Sequence, residues 1–196
     1  MNQWKNRSRG IGITVGLIII NLAAFLYSAW LSESTNIHPL VLVYLGGNYK
    51  PLVEAGEYYR LVTAMFLHGD IQHLAFNMYS LWALGSNLER MLPKWKYFIL
   101  YMVSGLGGSL LSHLMHEDTV SIGASGAIFG LLGALIGYVW KNREMFRSGA
   151  LLNLLVIAGI NLAWGFQPGS GIDNYGHLGG LAAGFLLSLF IKPGRR

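Results

Sequence analysis

Ser125 stands in the run SIGASGAIFG, residues 121–130, at the point where an apolar segment begins. A serine hydroxyl becomes a nucleophile when a neighbouring base takes its proton, so Ser125 is a candidate for acyl-transfer chemistry. Taken alone, the run favours a plainer interpretation. Gly126 and Gly130 form a G-x-x-x-G pattern, and small residues in that pattern let membrane helices pack closely. The choice between nucleophile and packing residue therefore depends on whether Ser125 has partners.

Three further polar residues lie near the starts of other apolar segments. His73 and Asn77 are four residues apart in HLAFN, so a helix presents them on one face. His177 follows in DNYGHLGG. An imidazole can serve as the general base for a serine, and His73, Asn77 and the amide of Ser125 can donate hydrogen bonds to an oxyanion. A helix that starts at Ser125 would add the positive end of its dipole at the same place.

The elements that must position these residues are predicted to be membrane helices. The 196 residues are 53% hydrophobic and only 12% charged, whereas about a quarter of the residues of a soluble domain are charged. Six apolar runs approach the roughly 20 residues that a helix needs to cross a bilayer. We predict an all-α polytopic membrane protein with a single domain, residues 1–196, and six spans. The predicted spans are about 11–31, 71–88, 97–115, 122–140, 149–165 and 174–191.

Two segments outside the central spans have alternatives. The run HPLVLVYLGG, residues 38–47, is too short to cross, and we expect it to lie at the membrane interface within a long, partly embedded first loop, residues 32–70. Residues 1–31 could instead be a cleaved signal peptide. A run of about 20 apolar residues is long for a signal sequence, so a retained first helix is favoured.

The basic residues fall on one side of the predicted bundle. Four clusters hold 12 of the 14 lysines and arginines, whereas the other side receives seven of the nine acids. The positive-inside rule then places both termini in the cytoplasm, in a membrane expected to be a bacterial plasma membrane. The net charge of +5 is thus a topology signal, and no nucleic-acid partner is expected. The clusters comprise Lys5, Arg7, Arg9, Arg90, Lys94, Lys96, Lys141, Arg143, Arg147, Lys192, Arg195 and Arg196.

The polar residues fall in one layer of the membrane. Counted from the basic residue that ends each span, Ser125 and His177 lie about 24 and 22 Å above the cytoplasmic boundary, and His73 and Asn77 about 26 and 20 Å, at 1.5 Å per residue. This layer is near the outer surface of a roughly 30 Å hydrocarbon core. Because the spans are nearly all apolar below it, the cavity is expected to open only to the extracytoplasmic side. That pattern favours an enzyme over a channel or transporter.

This constellation resembles the rhomboid family of intramembrane serine proteases. The motifs that carry the resemblance are G-A-S-G at 123–126, H-x-x-x-N at 73–77 and GHLGGLAAG at 176–184, in that order on the predicted spans. The resemblance implies that Ser125 is the nucleophile and His177 its general base, in a dyad with no obligatory acid. It also implies that His73 and Asn77 stabilise the oxyanion.

Supporting positions of the family are matched as well. Phe129 corresponds to an aromatic residue, usually tyrosine, that stacks on the catalytic histidine. Gly180 and Gly184 correspond to small residues that pack helix six against helix four. The remaining matches are Gly123 and Gly126 beside the serine, His68 and Arg60 in the first loop, and Glu89 after span two. Two departures are Tyr59 at a usual tryptophan and Pro93 at a common glycine.

Other polar features have plainer readings. Asp173 could orient His177 as a third acid, but its place before the last helix favours a cap. His113 and His116 have helical spacing suited to a metal, yet no third ligand is evident, and a solvated helix end is favoured. The chain has no cysteine and no H-E-x-x-H motif, so neither a metal nor another cofactor is expected.

The resemblance therefore implies an intramembrane serine endopeptidase. Its partners would be the lipid bilayer and transmembrane protein substrates, cleaved near their extracytoplasmic ends. The loop FQPGSGID, residues 166–173, contains a proline and two glycines and is expected to act as a movable cap over the site. The alternative is a non-catalytic, rhomboid-like membrane-protein-binding factor, although such relatives lack the serine or the histidine.

Overall fold

The structure, a computed structural model, describes residues 10–117, 119–142, 144, 148–167 and 170–191. The described residues are mostly helical, as predicted. The helices are α1 (Gly12–Ser32), α2 (Pro39–Tyr44), α3 (Lys50–Glu54), α4 (Arg60–Thr63), α5 (Ile71–Ser80), α6 (Ser86–Met91), α7 (Lys94–Met115), α8 (Ser125–Lys141), α9 (Ala150–Gly165) and α10 (Asn174–Phe190). A 3-10 turn spans Ala64–Phe66 and a π-helical turn Leu81–Gly85, and two short strands are β1 (Asn48–Tyr49) and β2 (Val120–Ser121).

Each of the six predicted apolar runs is helical in the structure. The second is one continuous helix built from α5, the π turn and α6, which carries it beyond the predicted end at residue 88 to Met91. The fourth begins at Ser125 rather than at residue 122, because Val120 and Ser121 pair as a strand and Gly123 turns the chain. The start of a helix at the serine was predicted, and it is confirmed.

Length and composition alone do not establish six spans. Within the described ranges, α1 and α7 are both long and apolar enough to cross a bilayer, with mean hydropathies of 1.9 and 1.5. Helices α8 and α9 are apolar but shorter. Many large apolar side chains on α1, α7 and α9 are nevertheless exposed, among them Ile19, Leu26, Leu114, Leu152 and Ile160. An exposed apolar surface of this extent is typical of contact with lipid.

Eight of the basic residues used to predict orientation lie outside the described residues, as does Asp118. They are Lys5, Arg7, Arg9, Arg143, Arg147, Lys192, Arg195 and Arg196. Both termini therefore stay assigned to the cytoplasm by prediction alone.

The first loop, residues 33–70, is ordered by short helices and by a buried arginine. Arg60 is only 4% exposed. Its guanidinium donates to the carboxylate of Glu57 and to the backbone carbonyls of Val43 and Gly47. Strand β1 of this loop pairs antiparallel with β2, the segment just before Ser125. This pairing, which the sequence did not predict, connects the first loop to the start of α8.

Helices α8 and α10 approach each other through glycines. A β-carbon built on Gly180 or Gly184 would fall well inside contact distance of the backbone carbonyls of Gly126 and Gly130. Only glycine at these positions allows the two backbones to come so close. Helix α8 also carries large buried side chains such as Leu131 and Tyr138, which belong to the main hydrophobic core. The tightest helix pair of the bundle is thus the one that carries Ser125 and His177.

Candidate active site

Ser125 is the first residue of α8, and the turn before it is held by a hydrogen bond to the first loop. Gly123 has a φ of +116°, a backbone conformation that glycine adopts at little cost. Its N–H donates to the carbonyl of Ala64 in the first loop at 2.9 Å. The first N–H groups of α8 have no partner within the helix, so Ser125 lies among free donors at the positive end of a helix dipole.

The imidazole of His177 lies against the face of α8 that begins with Ser125. Its ring stacks on the ring of Phe129, with centroids 4.1 Å apart and an interplanar angle of 10°. Phe129 is four residues after Ser125 and therefore on the same face of α8. His177 is buried, and its Nδ1 has no hydrogen-bond partner among the described residues. This is the stacking that the resemblance implies for Phe129.

Helix α5 brings His73 to the same point. A β-carbon on Gly123 would lie 2.8 Å from Nε2 of His73 and 3.7 Å from Oγ of Ser125. Both side chains therefore converge on the space beside Gly123. The orientation of His73 follows from its helix start, because Asp70 caps α5 by accepting the His73 N–H at 2.8 Å.

Asn77 lies one turn further along α5 and is buried. Its Nδ2 donates to the backbone carbonyl of His73 at 2.9 Å. A side-chain amide has two N–H groups, so this bond fixes the orientation of the amide and leaves a second donor for a ligand. His73, Asn77, Ser125 and His177 all lie within the first two turns of their helices. Each therefore lies near the start of its own helix, while their common depth in the membrane stays a prediction.

His68 is a neighbour of the site whose contact with His73 the sequence did not predict. Its ring packs edge-on against His73 with centroids 5.0 Å apart, and it is fully buried. Burial lowers the pKa of His68 to about 3, so its ring is neutral at physiological pH. The sequence places His68 five residues before His73, but only the turn between the 3-10 segment and α5 brings the two rings together.

Asp173 caps α10, as predicted, by accepting the N–H of Gly176 at 2.7 Å. Its second oxygen accepts the hydroxyl of Ser121 at 2.5 Å. The end of α7 is partly solvated at His116, whose side chain is 29% exposed. Its ring packs edge-on against Tyr175, and its Nδ1 lies 3.7 Å from the Asp173 carboxylate, because the end of α7 meets the start of α10.

A small cavity of about 20 Å³ adjoins Ser125, with room for about one water molecule. Its lining includes Ser109, Ser121, Ser125, Asp173 and Gly176. Within the described part of the chain, no three His, Asp or Glu side chains lie close enough together to hold a metal ion. The loop predicted as a cap contains Pro168 and Gly169, which lie outside the described residues, and its movement stays a prediction.

Comparison with known proteins identifies the family. The rhomboid domain matches residues 55–194. The chain is 44% identical over 152 residues to Rhomboid protease GluP of Bacillus subtilis (strain 168), an alignment that covers 78% of this chain and 29% of GluP. It is also 40% identical over 146 residues to RHOMBOID-like protein 6, mitochondrial, of Arabidopsis thaliana. That alignment covers 74% of this chain and 47% of the Arabidopsis protein.

A third relative is covered over most of its length. Rhomboid protease AarA of Providencia stuartii is 30% identical over 207 residues, with 91% of this chain and 72% of AarA aligned. By contrast, the chain spans less than half the length of the GluP and RHOMBOID-like protein 6 sequences. The resemblance drawn from G-A-S-G, H-x-x-x-N and GHLGGLAAG is confirmed at the level of the domain. This chain belongs to the rhomboid family.

Proposed function

We propose that this protein is an intramembrane serine endopeptidase in which Ser125 is the nucleophile and His177 the general base. The observation that carries the proposal is the stack of His177 on Phe129, one turn along α8 from Ser125. The stack holds a buried imidazole against the face of α8 on which Ser125 lies, one turn from the serine. A base in that position is what a serine needs to become a nucleophile.

His73, Asn77 and the start of α8 would stabilise the oxyanion. His73 shares the space beside Gly123 with the serine oxygen, and Asn77 keeps one free amide N–H. The first N–H groups of α8 have no partner within the helix, and the helix dipole favours negative charge at that end. Donors that are already in position before the charge develops contribute most to lowering the barrier.

The reaction follows from these roles. Ser125 Oγ attacks the carbonyl carbon of the scissile bond while His177 takes the hydroxyl proton. His177 then donates that proton to the leaving amine, and an acyl-enzyme remains on Ser125. A water molecule, activated by His177, hydrolyses the ester and regenerates the serine. The buried Nδ1 of His177 has no carboxylate partner among the described residues, which agrees with a dyad rather than a triad.

The substrates would be transmembrane segments of other membrane proteins, cleaved near their extracytoplasmic ends. We base this on the layer occupied by the four residues and on the orientation that the basic clusters predict, with six spans and cytoplasmic termini. A peptide bond within a helix is hydrogen-bonded and shielded, so the segment must unwind as it reaches Ser125. We further propose that the loop at 166–173 moves to admit it. Retained activity after cross-linking that loop to the first loop would contradict the movement.

The decisive experiment is covalent labelling of the detergent-solubilised protein with a fluorophosphonate probe. The wild type, Ser125→Ala, His177→Ala and a control variant, Ser28→Ala, are compared. Ser28 donates its hydroxyl within its own helix, to the carbonyl of Ala24, and is not part of the site. We expect the probe to label the wild type and Ser28→Ala, and we expect no labelling of Ser125→Ala or His177→Ala.

The opposite result would favour the alternative function. If the wild type is not labelled and also leaves a model transmembrane substrate intact, the protein would be a non-catalytic, rhomboid-like factor that binds membrane proteins. Labelling that persists in Ser125→Ala would show that another serine is the reactive one.

A further inference from the structure

A hydrogen bond joins the segment before Ser125 to the segment before His177. Ser121 Oγ donates to Asp173 Oδ2 at 2.5 Å, while Asp173 Oδ1 accepts the N–H of Gly176 at 2.7 Å. One carboxylate thus caps α10 and holds strand β2 at the same time. Hydroxyl-to-carboxylate bonds of this length are among the stronger hydrogen bonds in proteins. We call this pair the Ser121–Asp173 clasp.

The clasp is placed to control the geometry of the site. Ser121 lies four residues before Ser125, and Asp173 lies four residues before His177. The carbonyl of Asp173 also accepts the N–H of His177 at 3.1 Å, so a shift of Asp173 is transmitted directly to the histidine. On the other side, Ser121 and Ser125 are joined by a short turn at Gly123, whose N–H is fixed to Ala64.

The surroundings of the clasp restrict how it can relax. The clasp residues both line the cavity next to Ser125. The backbone of Ser121 is held by strand pairing, because β2 pairs with Asn48 and Tyr49 of the first loop. Asp173 is held from the α7 side, where His116 Nδ1 lies 3.7 Å from its carboxylate. The bond joins the segments before the two helices directly, whereas these other contacts hold each segment separately.

We propose that the Ser121–Asp173 clasp is a positioning device that sets the distance between Ser125 and His177. This inference rests on the proposed function, because it assigns a role toward the reaction of that dyad. Neither residue contacts the substrate in this role. The clasp acts on the rate of the chemical step and leaves the binding of a transmembrane segment unchanged.

The expected effect follows from the strength of the bond. A hydrogen bond to a charged group contributes a net stabilisation to the structure that contains it. If the Ser121–Asp173 bond stabilises the reactive arrangement of Ser125 and His177, its loss should lower the rate roughly tenfold. Ser121→Ala should therefore label with the fluorophosphonate roughly tenfold more slowly than the wild type. In the cleavage of a model transmembrane substrate, kcat should fall by a similar factor with KM unchanged. Ser121→Thr, which keeps the hydroxyl, should restore both rates.

The experiment is a double-mutant cycle. Its members are Ser121→Ala, Asp173→Asn and the double variant, with Ser188→Ala as the control. Asparagine keeps the helix cap, because it serves as well as aspartate at that position. Ser188 donates within α10 to the carbonyl of Phe185, far from the clasp. If the two side chains act through one bond, the double variant reacts no more slowly than the slower single variant, and the control reacts at the wild-type rate.

Each outcome decides a separate question. A wild type that neither labels nor cleaves removes the proposed function, and this inference with it. A reactive wild type with an equally reactive Ser121→Ala overturns the inference alone. A slow Ser121→Ala that Ser121→Thr does not restore, or multiplied losses in the double variant, also overturns it, because the hydroxyl-to-carboxylate bond would then not be the cause.

Discussion

Replacement of Gly123 by alanine would test the turn that presents Ser125. The residue has a φ of +116°, and a side chain in such a conformation costs about 1–3 kcal/mol of stability. The added β-carbon would also lie 2.8 Å from Nε2 and 2.9 Å from Cε1 of His73. An ordinary contact is about 3.4 Å or more, so the His73 ring must move by roughly half an ångström.

The two consequences can be separated with a matched control. Gly56 has a similar φ of +104°, but a β-carbon there would meet nothing within 4 Å. Gly56→Ala should therefore carry the backbone cost of about 1–3 kcal/mol without displacing a site residue. Gly123→Ala should carry the same cost and in addition lose on the order of 100-fold in kcat, the usual effect of misplacing an oxyanion donor.

The assay compares the two variants in detergent. Thermal unfolding reports the loss of stability, and the cleavage rate of a model transmembrane substrate, measured well below the unfolding temperature, reports the chemistry. Similar unfolding temperatures with a large loss of kcat only in Gly123→Ala would support the reasoning. A Gly123→Ala variant with wild-type kcat, or a Gly56→Ala variant with an equal loss, would refute it.

Three further substitutions, two of them with a matched variant, test other parts of the structure. Gly180→Ala should separate α8 from α10, lower the free energy of unfolding by about 1–3 kcal/mol and slow labelling by the fluorophosphonate. The matched variant is Gly159→Ala, because a β-carbon at Gly159 has open space around it. That variant should be neutral or stabilising by up to about 1 kcal/mol. Glu89→Gln should lower the free energy of unfolding by about 1–3 kcal/mol, because the buried carboxylate accepts three hydrogen bonds from the start of α1. The folded fraction of that variant should label at the wild-type rate. Phe129→Leu should lower kcat between about 2-fold and 10-fold because it removes the stack on His177. Phe129→Tyr keeps the aromatic ring and should retain the wild-type kcat.

The helices were predictable from the sequence because their ends carry local signals. The apolar run of α8 begins after a glycine-rich turn and ends at Lys141, and α10 begins at an aspartate cap. The positions of His73, Asn77 and His177 near the starts of their helices also followed from the local sequence. In these cases a short stretch of sequence contains all the residues that decide the structure.

Features that depend on distant residues could not be predicted in the same way. The pairing of β1 with β2 joins residues more than 70 positions apart, and nothing in Asn48 and Tyr49 marks them as strand. The π turn at Leu81–Gly85 has no sequence signal in an otherwise regular apolar helix. The contact between Ser121 and Asp173 spans 52 positions, and one serine among many gives no reason to expect it. The contacts of His116 with Tyr175 and Asp173 have the same origin, because they depend on where α10 starts.

These contacts divide the candidate site into two halves that are held by different means. Ser125 and His177 lie where α8 and α10 begin, at one end of the glycine seam between them, so their spacing depends on the closest helix contact among the described residues. His73 is held by the cap of Asp70 and by the first loop, which reaches Gly123 through Ala64. A change in the seam should therefore reduce stability and chemistry together. A change at the Ser121–Asp173 clasp or beside His73 should reduce the rate by more than its cost in stability explains, because those contacts orient the starts of the helices next to the reacting groups.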